Sequence, residues 1–150
     1  MSYAMLNKKP CCEKNMKLNN DKKIIESWQD NASPWIKAIE EKQIASRQLV
    51  TDKAIVETIL KLPLKTILDI GCGEGWLVRE LSTHNLSVTG IDAVTELIDR
   101  ATEQDIGTFK VVKYEDISTL TLVDRYDAAI CNFSLIGEQS VEHIFKVIPS

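Results

Sequence analysis

The chain has 150 residues, 44% hydrophobic and 27% charged, which is ordinary for one globular domain with a single core. No apolar run approaches the roughly 18 residues of a membrane span, and no apolar stretch follows the N-terminal lysines as in a secretory signal, so a cytoplasmic protein without membrane contact is expected. Residues 1–23 carry six lysines against Glu13 and Asp21, a net of +4, while the remainder carries 12 basic and 20 acidic residues, a net of −8; an acidic body does not suit nucleic acid, whose affinity rests on phosphate neutralisation.

Residues 1–20 are rich in Lys and Asn and poor in apolar side chains, the composition of a disordered basic leader. Residues 21–62 read as N-terminal helices. Ile24 to Asp30 surround Trp28, and Ser33-Pro34 offers a cap and a first-turn proline for a helix carrying Trp35, Ile36, Ile39 and Ile44. Thr51 can cap a further helix with the face Ile55, Ile59 and Leu62, ending at Pro63.

From residue 63 the pattern changes to alternating strands and helices. Thr66-Ile67-Leu68-Asp69-Ile70 is a short apolar run suited to a buried strand. It enters Gly71-Cys72-Gly73-Glu74-Gly75 and then a helical stripe of Leu77, Val78 and Leu81. Glycines at alternate positions let the backbone turn sharply and approach a ligand beyond the carboxyl end of a strand. The dinucleotide fingerprint G-x-G-x-x-G fits Gly71 and Gly73 but meets Trp76 at its sixth position. Glu74 at the helix start also competes with a pyrophosphate for the helix N-terminus. A ligand without phosphate, carrying an amino group and a sulfonium, suits the loop better than a dinucleotide.

Ser87 to Ile91 reads as the second strand, closed by Asp92, 21 positions after Gly71, where a carboxylate can accept from ribose hydroxyls. Val94, Leu97, Ile98 and Ala101 form a helical stripe. Gly107 breaks the chain before Thr108–Lys113, the third strand. Tyr126 to Asn132 is the fourth, and its apolar run Ala128-Ala129-Ile130-Cys131 is that of a strand buried on both faces. Val141, Ile144, Phe145 and Ile148 form the last stripe, with Ser140 as its cap. Alternation of this kind implies a parallel sheet. The four cysteines, Cys11, Cys12, Cys72 and Cys131, lack metal-ligand spacing and read as reduced thiols; no metal is expected. His84 and His143 read as solvent-exposed.

The sequence ILDIGCGEG followed by GIDAV resembles the class I S-adenosylmethionine-dependent methyltransferases, and the resemblance continues through Asp124 to Phe133. It extends over about residues 50–148. It implies an α/β fold: a Rossmann-like doubly wound parallel sheet of strand order 3-2-1-4 with N-terminal helices, residues 63–150 forming the core that binds S-adenosylmethionine. It further implies methyl transfer to a small-molecule acceptor. By this resemblance Asp69 and the loop residues Gly71, Cys72, Gly73 and Gly75 hold the methionine end, Asp92 the ribose, and Ala93 borders the adenine. The adenine amino group falls to Asp116, with Tyr114 and Glu115 as alternatives. Asn132 and Phe133 face cofactor and acceptor, and Phe133-Ser134 replace the two prolines of the N-P-P-[YF] signature. Trp28, Trp35 and Arg47 are lid candidates, with anchoring to the core as the plainer role for the tryptophans. The family continues beyond its fourth strand whereas this chain stops at Pro149-Ser150, so a truncated chain is expected. The fourth strand is then left as an edge open to self-association, and a non-catalytic remnant is the alternative to an active enzyme.

Overall fold

The computed structural model describes residues 11–118 and 126–148, with side chains from residue 20 onward. The first ten residues of the expected leader, Asp124-Arg125 of the fourth-strand run and the terminal Pro149-Ser150 lie outside the described residues. The elements are α1 (Cys11–Asp30), α2 (Ala32–Glu40), a π-helical turn (Arg47–Thr51), α3 (Asp52–Leu60), β1 (Thr66–Ile70), α4 (Trp76–Ser82), β2 (Ser87–Asp92), α5 (Thr95–Thr102), β3 (Thr108–Val111), a 3-10 turn (Tyr114–Asp116), β4 (Ala128–Ile130) and α6 (Gln139–Val147).

The four strands form one sheet in the order β3-β2-β1-β4, and all three pairings are parallel. This is the doubly wound α/β sheet expected. Ile67, Leu68 and Ile70 of β1 are almost completely buried. Ile67 joins Leu77, Val78, Leu81, Val88 and Ile98 on one side of the sheet. Leu68 and Ile70 join Ile91, Ile117 and Ile144 on the other. Burial of each such side chain contributes about 1.5–3 kcal/mol. Asp127 sets the pairing of β4 with β1: its Oδ2 accepts the Lys65 and Thr66 amides at 2.7 and 2.9 Å.

Several local expectations need correction. Helix α1 starts at Cys11, inside the stretch expected to be a disordered leader. No glycine or proline interrupts residues 11–33, so the backbone has no helix breaker despite the polar composition. Helix α2 starts at Ala32, which puts Ser33 and Pro34 inside its first turn, and the Ser33 hydroxyl donates to Glu96 Oε1 at 2.6 Å. Thr51 does not cap α3, because the preceding π turn already runs helically into it. Leu62 and Phe145, placed on buried faces by their spacing, are 53% and 62% exposed. Strand β4 lies at the sheet edge, and Ala129 on it is exposed rather than covered on both faces. His143 is half-buried, its Nε2 2.7 Å from the Ile117 carbonyl oxygen.

The N-terminal helices are tied to the sheet from two directions. Ala32, Val94 and Leu97 pack with Trp28, Trp35 and Ile36. On the other side, the Asp21 carboxylate of α1 accepts the Glu138 amide at 2.9 Å and the Ser140 amide at 2.8 Å. It thus caps α6 from a distant part of the chain, the task expected of Ser140 itself. Burial pushes the Asp21 pKa up, but the amides of Glu138, Ser140 and Gln139 outweigh it and hold the carboxyl below its ordinary value. Asp21→Ala should cost about 1 kcal/mol at neutral pH, as for loss of a helix cap. Because the folded-state pKa is depressed, this contribution is present above the ordinary carboxylate pKa and fades as pH falls through the folded one. Urea unfolding of both proteins at pH 7 and at pH 3 would show a gap that closes in acid.

Candidate functional site

The turn after β1 is built on left-handed glycines. Gly71, Gly73 and Gly75 have φ of +73°, +58° and +82°, a region that costs a residue with a Cβ about 1–2 kcal/mol. The amides of Gly71 and Cys72 both donate to the Ile91 carbonyl, at 2.7 and 3.0 Å. Asp92 Oδ2 accepts the Gly73 amide at 3.0 Å, and its Oδ1 accepts the Val94 amide at 2.9 Å. The end of β2 therefore fixes both its own turn and the neighbouring one. A Cβ on Gly71 would stand 2.4 Å from Ser134 Cβ. A Cβ on Gly75 would stand 2.6 Å from Phe109 and 2.9 Å from Ala101 Cβ.

Above this turn lies a cavity of about 410 Å³. Its lining includes Trp28, Trp35, Arg47, Asp69, Gly71, Cys72, Gly73, Asp92, Ala93, Asn132 and Phe133, so eleven of the thirteen sequence-derived positions meet in one place. The other two do not line it. Gly75 is buried against Phe109 and Ala101, which gives it the helix-packing job that the dinucleotide motif assigns one position later. Asp116 is exposed at the far end of the 3-10 turn, and Tyr114 and Glu115 line the cavity in its stead. That short turn follows β3, and its winding sets which of three consecutive side chains faces inward; this was not readable from residue types.

The floor of the cavity is acidic. Asp69 is 2% exposed and its Oδ1 has no hydrogen-bond partner among the described residues. Burial, with Asp92 and Glu74 adding like charge, pushes its pKa up to about 7. A carboxylate left this way costs about 1–3 kcal/mol, an expense that a cationic donor from a ligand would remove. Glu74 is equally buried and also lines the cavity. Its Oε1 makes no hydrogen bond, though Arg79 Nη2 lies 3.9 Å from it. Burial raises its pKa, against its own amide and the charges of Arg47 and Arg79. The sequence assigns Glu74 only the exclusion of phosphate, although its place between two loop glycines is a signal for a lining role. Burial likewise raises Asp92, although the Val94, Gly73 and Ala93 amides pull it down.

The roof comes from the N-terminal helices. The Trp28 and Trp35 rings meet edge to face, centroids 5.5 Å apart. Trp35 Nε1 is 3.7 Å from the position a Gly73 Cβ would take, so the indole lies over the loop. Arg47 is placed by the π turn, a helix defect often associated with functional sites. Its Nε donates to Asp52 Oδ1 at 3.0 Å, and its guanidinium stacks on Trp76 at 4.7 Å from the ring centroid. On the opposite wall the Tyr114 hydroxyl donates to the Ser134 carbonyl at 2.6 Å, and burial pushes the phenol up to about 12. Burial also raises the Cys72 thiol, which stays protonated. No cluster of metal-binding side chains is present among the described residues, and no described helix is long and apolar enough to cross a membrane.

A family model described as a methyltransferase domain matches residues 67–149. The ubiquinone biosynthesis O-methyltransferase of Hydrogenovibrio crunogenus is 29% identical over 137 residues, which is 87% of this chain and 53% of that protein. The protein of the same name from Paraburkholderia phymatum is 37% identical over 71 residues, 45% of this chain and 31% of its own length. The chain thus spans from about a third to about half of these curated relatives. Among solved structures, the magnesium protoporphyrin IX methyltransferase of Synechocystis PCC 6803 with bound SAH has a similar fold. The TM-score is 0.68 at 19% identity, and the match covers 86% of this chain and 68% of that one.

Gly75→Ala combines a left-handed backbone with a collision against the Phe109 ring and should cost about 2–4 kcal/mol, whereas Gly73→Ala meets nothing closer than 3.7 Å and should cost about 1–2 kcal/mol; thermal unfolding of both variants would separate them. Asp69, with its folded pKa raised, holds a proton that the unfolded chain gives up, so stability is fullest below the unfolded pKa and declines as pH rises toward about 7. Asp69→Asn removes that decline and should be more stable than the parent at pH 8 by on the order of 2 kcal/mol, measured by denaturant titration at pH 5 and pH 8.

Proposed function

The chain belongs to the methyltransferase-domain family, and we propose that it is a class I S-adenosylmethionine-dependent methyltransferase that methylates a small-molecule acceptor. The observation that carries this reading is the unpartnered, buried Asp69 Oδ1 at the floor of a cavity edged by the glycine turn and Asp92. A buried carboxylate without a donor fits a ligand amino group, and backbone at Gly71 and Gly73 without Cβ atoms fits close approach by a ligand.

S-adenosylmethionine, when bound, supplies a sulfonium-activated methyl group, which passes to an acceptor lone pair while the carbon–sulfur electron pair stays on sulfur. The chain's own work is to bind, orient and exclude water. In this reading Asp69 accepts from the amino group and Asp92 from the ribose, with Ala93, Val94 and Leu97 beside the adenine. Glu115 and Tyr114 take the adenine-edge role first given to Asp116, since they line the cavity. Asn132 and Phe133, which line the same cavity, would face the cofactor and the acceptor. Arg47 closes the loop side, its stacking on Trp76 and pairing with Asp52 supporting an anchoring role more than one in acceptor binding. Three carboxylates at Asp69, Glu74 and Asp92 provide the negative field that a sulfonium and an ammonium require.

The test is isothermal titration of S-adenosylhomocysteine into the full chain, with Asp92→Ala and Asp69→Asn alongside. Saturable binding, lost or weakened at least about tenfold in both variants, is the expected result. Because a bound ammonium favours ionised Asp69, affinity should rise between pH 6 and 7.5 in the parent, and this slope should be flat in Asp69→Asn. Absence of heat from a chain with intact circular dichroism would overturn the reading.

A further inference from the structure

The cavity is larger than the acidic floor and glycine turn account for, and its second part has a different chemistry. From residue 20 on, α1 presents Asp21, Ile24, Ile25 and Trp28, spaced i, i+3, i+4 and i+7, as its inner face, while Lys22, Lys23, Glu26 and Ser27 stay exposed. Opposite this stripe are Phe133 and Ile136 from the segment after β4, also lining the cavity. Phe133 holds a left-handed φ of +59° and is 72% exposed. A bulky residue pays for that backbone only where the surroundings impose it. An aromatic ring kept uncovered at the rim of a cavity is a surface waiting for a flat apolar partner. The Trp28–Trp35 edge-to-face pair stands between this chamber and the loop under Trp35.

We propose that this chamber between α1 and the post-β4 segment binds the methyl acceptor, and that the acceptor is a neutral, flat, largely apolar molecule. The assignment rests on the methyltransferase reading above and adds a substrate class to it. Charge selects the class. Among Asp21, Ile24, Ile25, Trp28, Phe133 and Ile136 the one ionisable group is Asp21, whose two oxygens are occupied by the Glu138 and Ser140 amides. Ionised at neutral pH, it repels anions, and the two α6 amides already offset part of its charge, which makes it a weaker partner for a cation. The apolar walls penalise any charge that enters. The chamber continues outward as an open groove over Ile24, Trp28 and Ile136 with Asn20, Lys23 and Ser27 along it, so the acceptor can extend past the apolar part the cavity encloses toward a polar outer edge.

Three naphthalene probes of one size and different charge test this: 2-naphthol (neutral), 2-naphthoate (anionic) and 2-naphthylmethylammonium (cationic). Each is titrated into the full chain saturated with S-adenosylhomocysteine and followed by heat and by tryptophan fluorescence. We expect 2-naphthol to bind about tenfold more tightly than either charged probe. Equal or tighter binding of a charged probe, or no binding of 2-naphthol, overturns the acceptor class while leaving the cofactor reading intact. Failure of S-adenosylhomocysteine itself to bind overturns the cofactor reading and the acceptor assignment with it. Ile24→Asp, checked for retained S-adenosylhomocysteine binding, should weaken 2-naphthol about tenfold. If that variant does not fold, Phe133→Ala at an exposed position makes the same test, and unchanged 2-naphthol affinity in the folded variant overturns the location.

Discussion

Two acceptors at the carboxyl end of β2 hold the turn that follows β1. The Ile91 carbonyl takes the Gly71 and Cys72 amides, and the Asp92 carboxylate takes the Gly73 amide. These bonds fix a backbone that no other residue type would adopt three times in five positions, and they do so from a neighbouring strand. The turn can therefore exist only once β1 and β2 pair in the register Asp69↔Gly90 and Ile70↔Ile91. Gly90 allows that pairing under the loop, because a Cβ there would stand 2.8 Å from Cys72 Sγ. Sheet register, loop shape and the position of Asp69 are thus one constraint seen at three scales.

The acidic floor exists because that constraint outweighs electrostatics. Asp69, Glu74 and Asp92 each have a pKa raised by burial, and Asp69 has an oxygen with no donor. The chain accepts this cost within a core that buries Ile67, Leu68 and Ile70 around it. Sites of this type trade stability for readiness: the missing partner is the ligand's to bring.

Much of this was legible in residue order. The strand Thr66–Ile70, the stripe Leu77, Val78 and Leu81, and the strand order were all readable, since each depends on short-range periodicity or on a family pattern. What failed to read was non-local. Ser140 and Thr51 have the right chemistry for caps, yet α6 is capped by Asp21 and α3 is entered through a π turn. Phe145 has the right spacing for the core, but it is Ile144, with Val147 and Ile148 beside it, that packs into the cluster under α6. The choice among Tyr114, Glu115 and Asp116 depends on the pitch of a single 3-10 turn, which composition does not encode. Helix α1 extends back to Cys11 through residues whose polar composition alone does not mark a helix.

The contact between Asp21 and α6 joins residues 117 and 119 positions apart. On a ribosome adding about 5–20 residues per second, Asp21 is synthesised roughly 6–24 s before its partners are. During that interval the Ile24, Ile25 and Trp28 stripe has neither α6 nor the post-β4 segment to lie against. The roof of the cavity is therefore synthesised before the segment it seats against, and until then its apolar face is what a chaperone or a neighbouring nascent chain would meet.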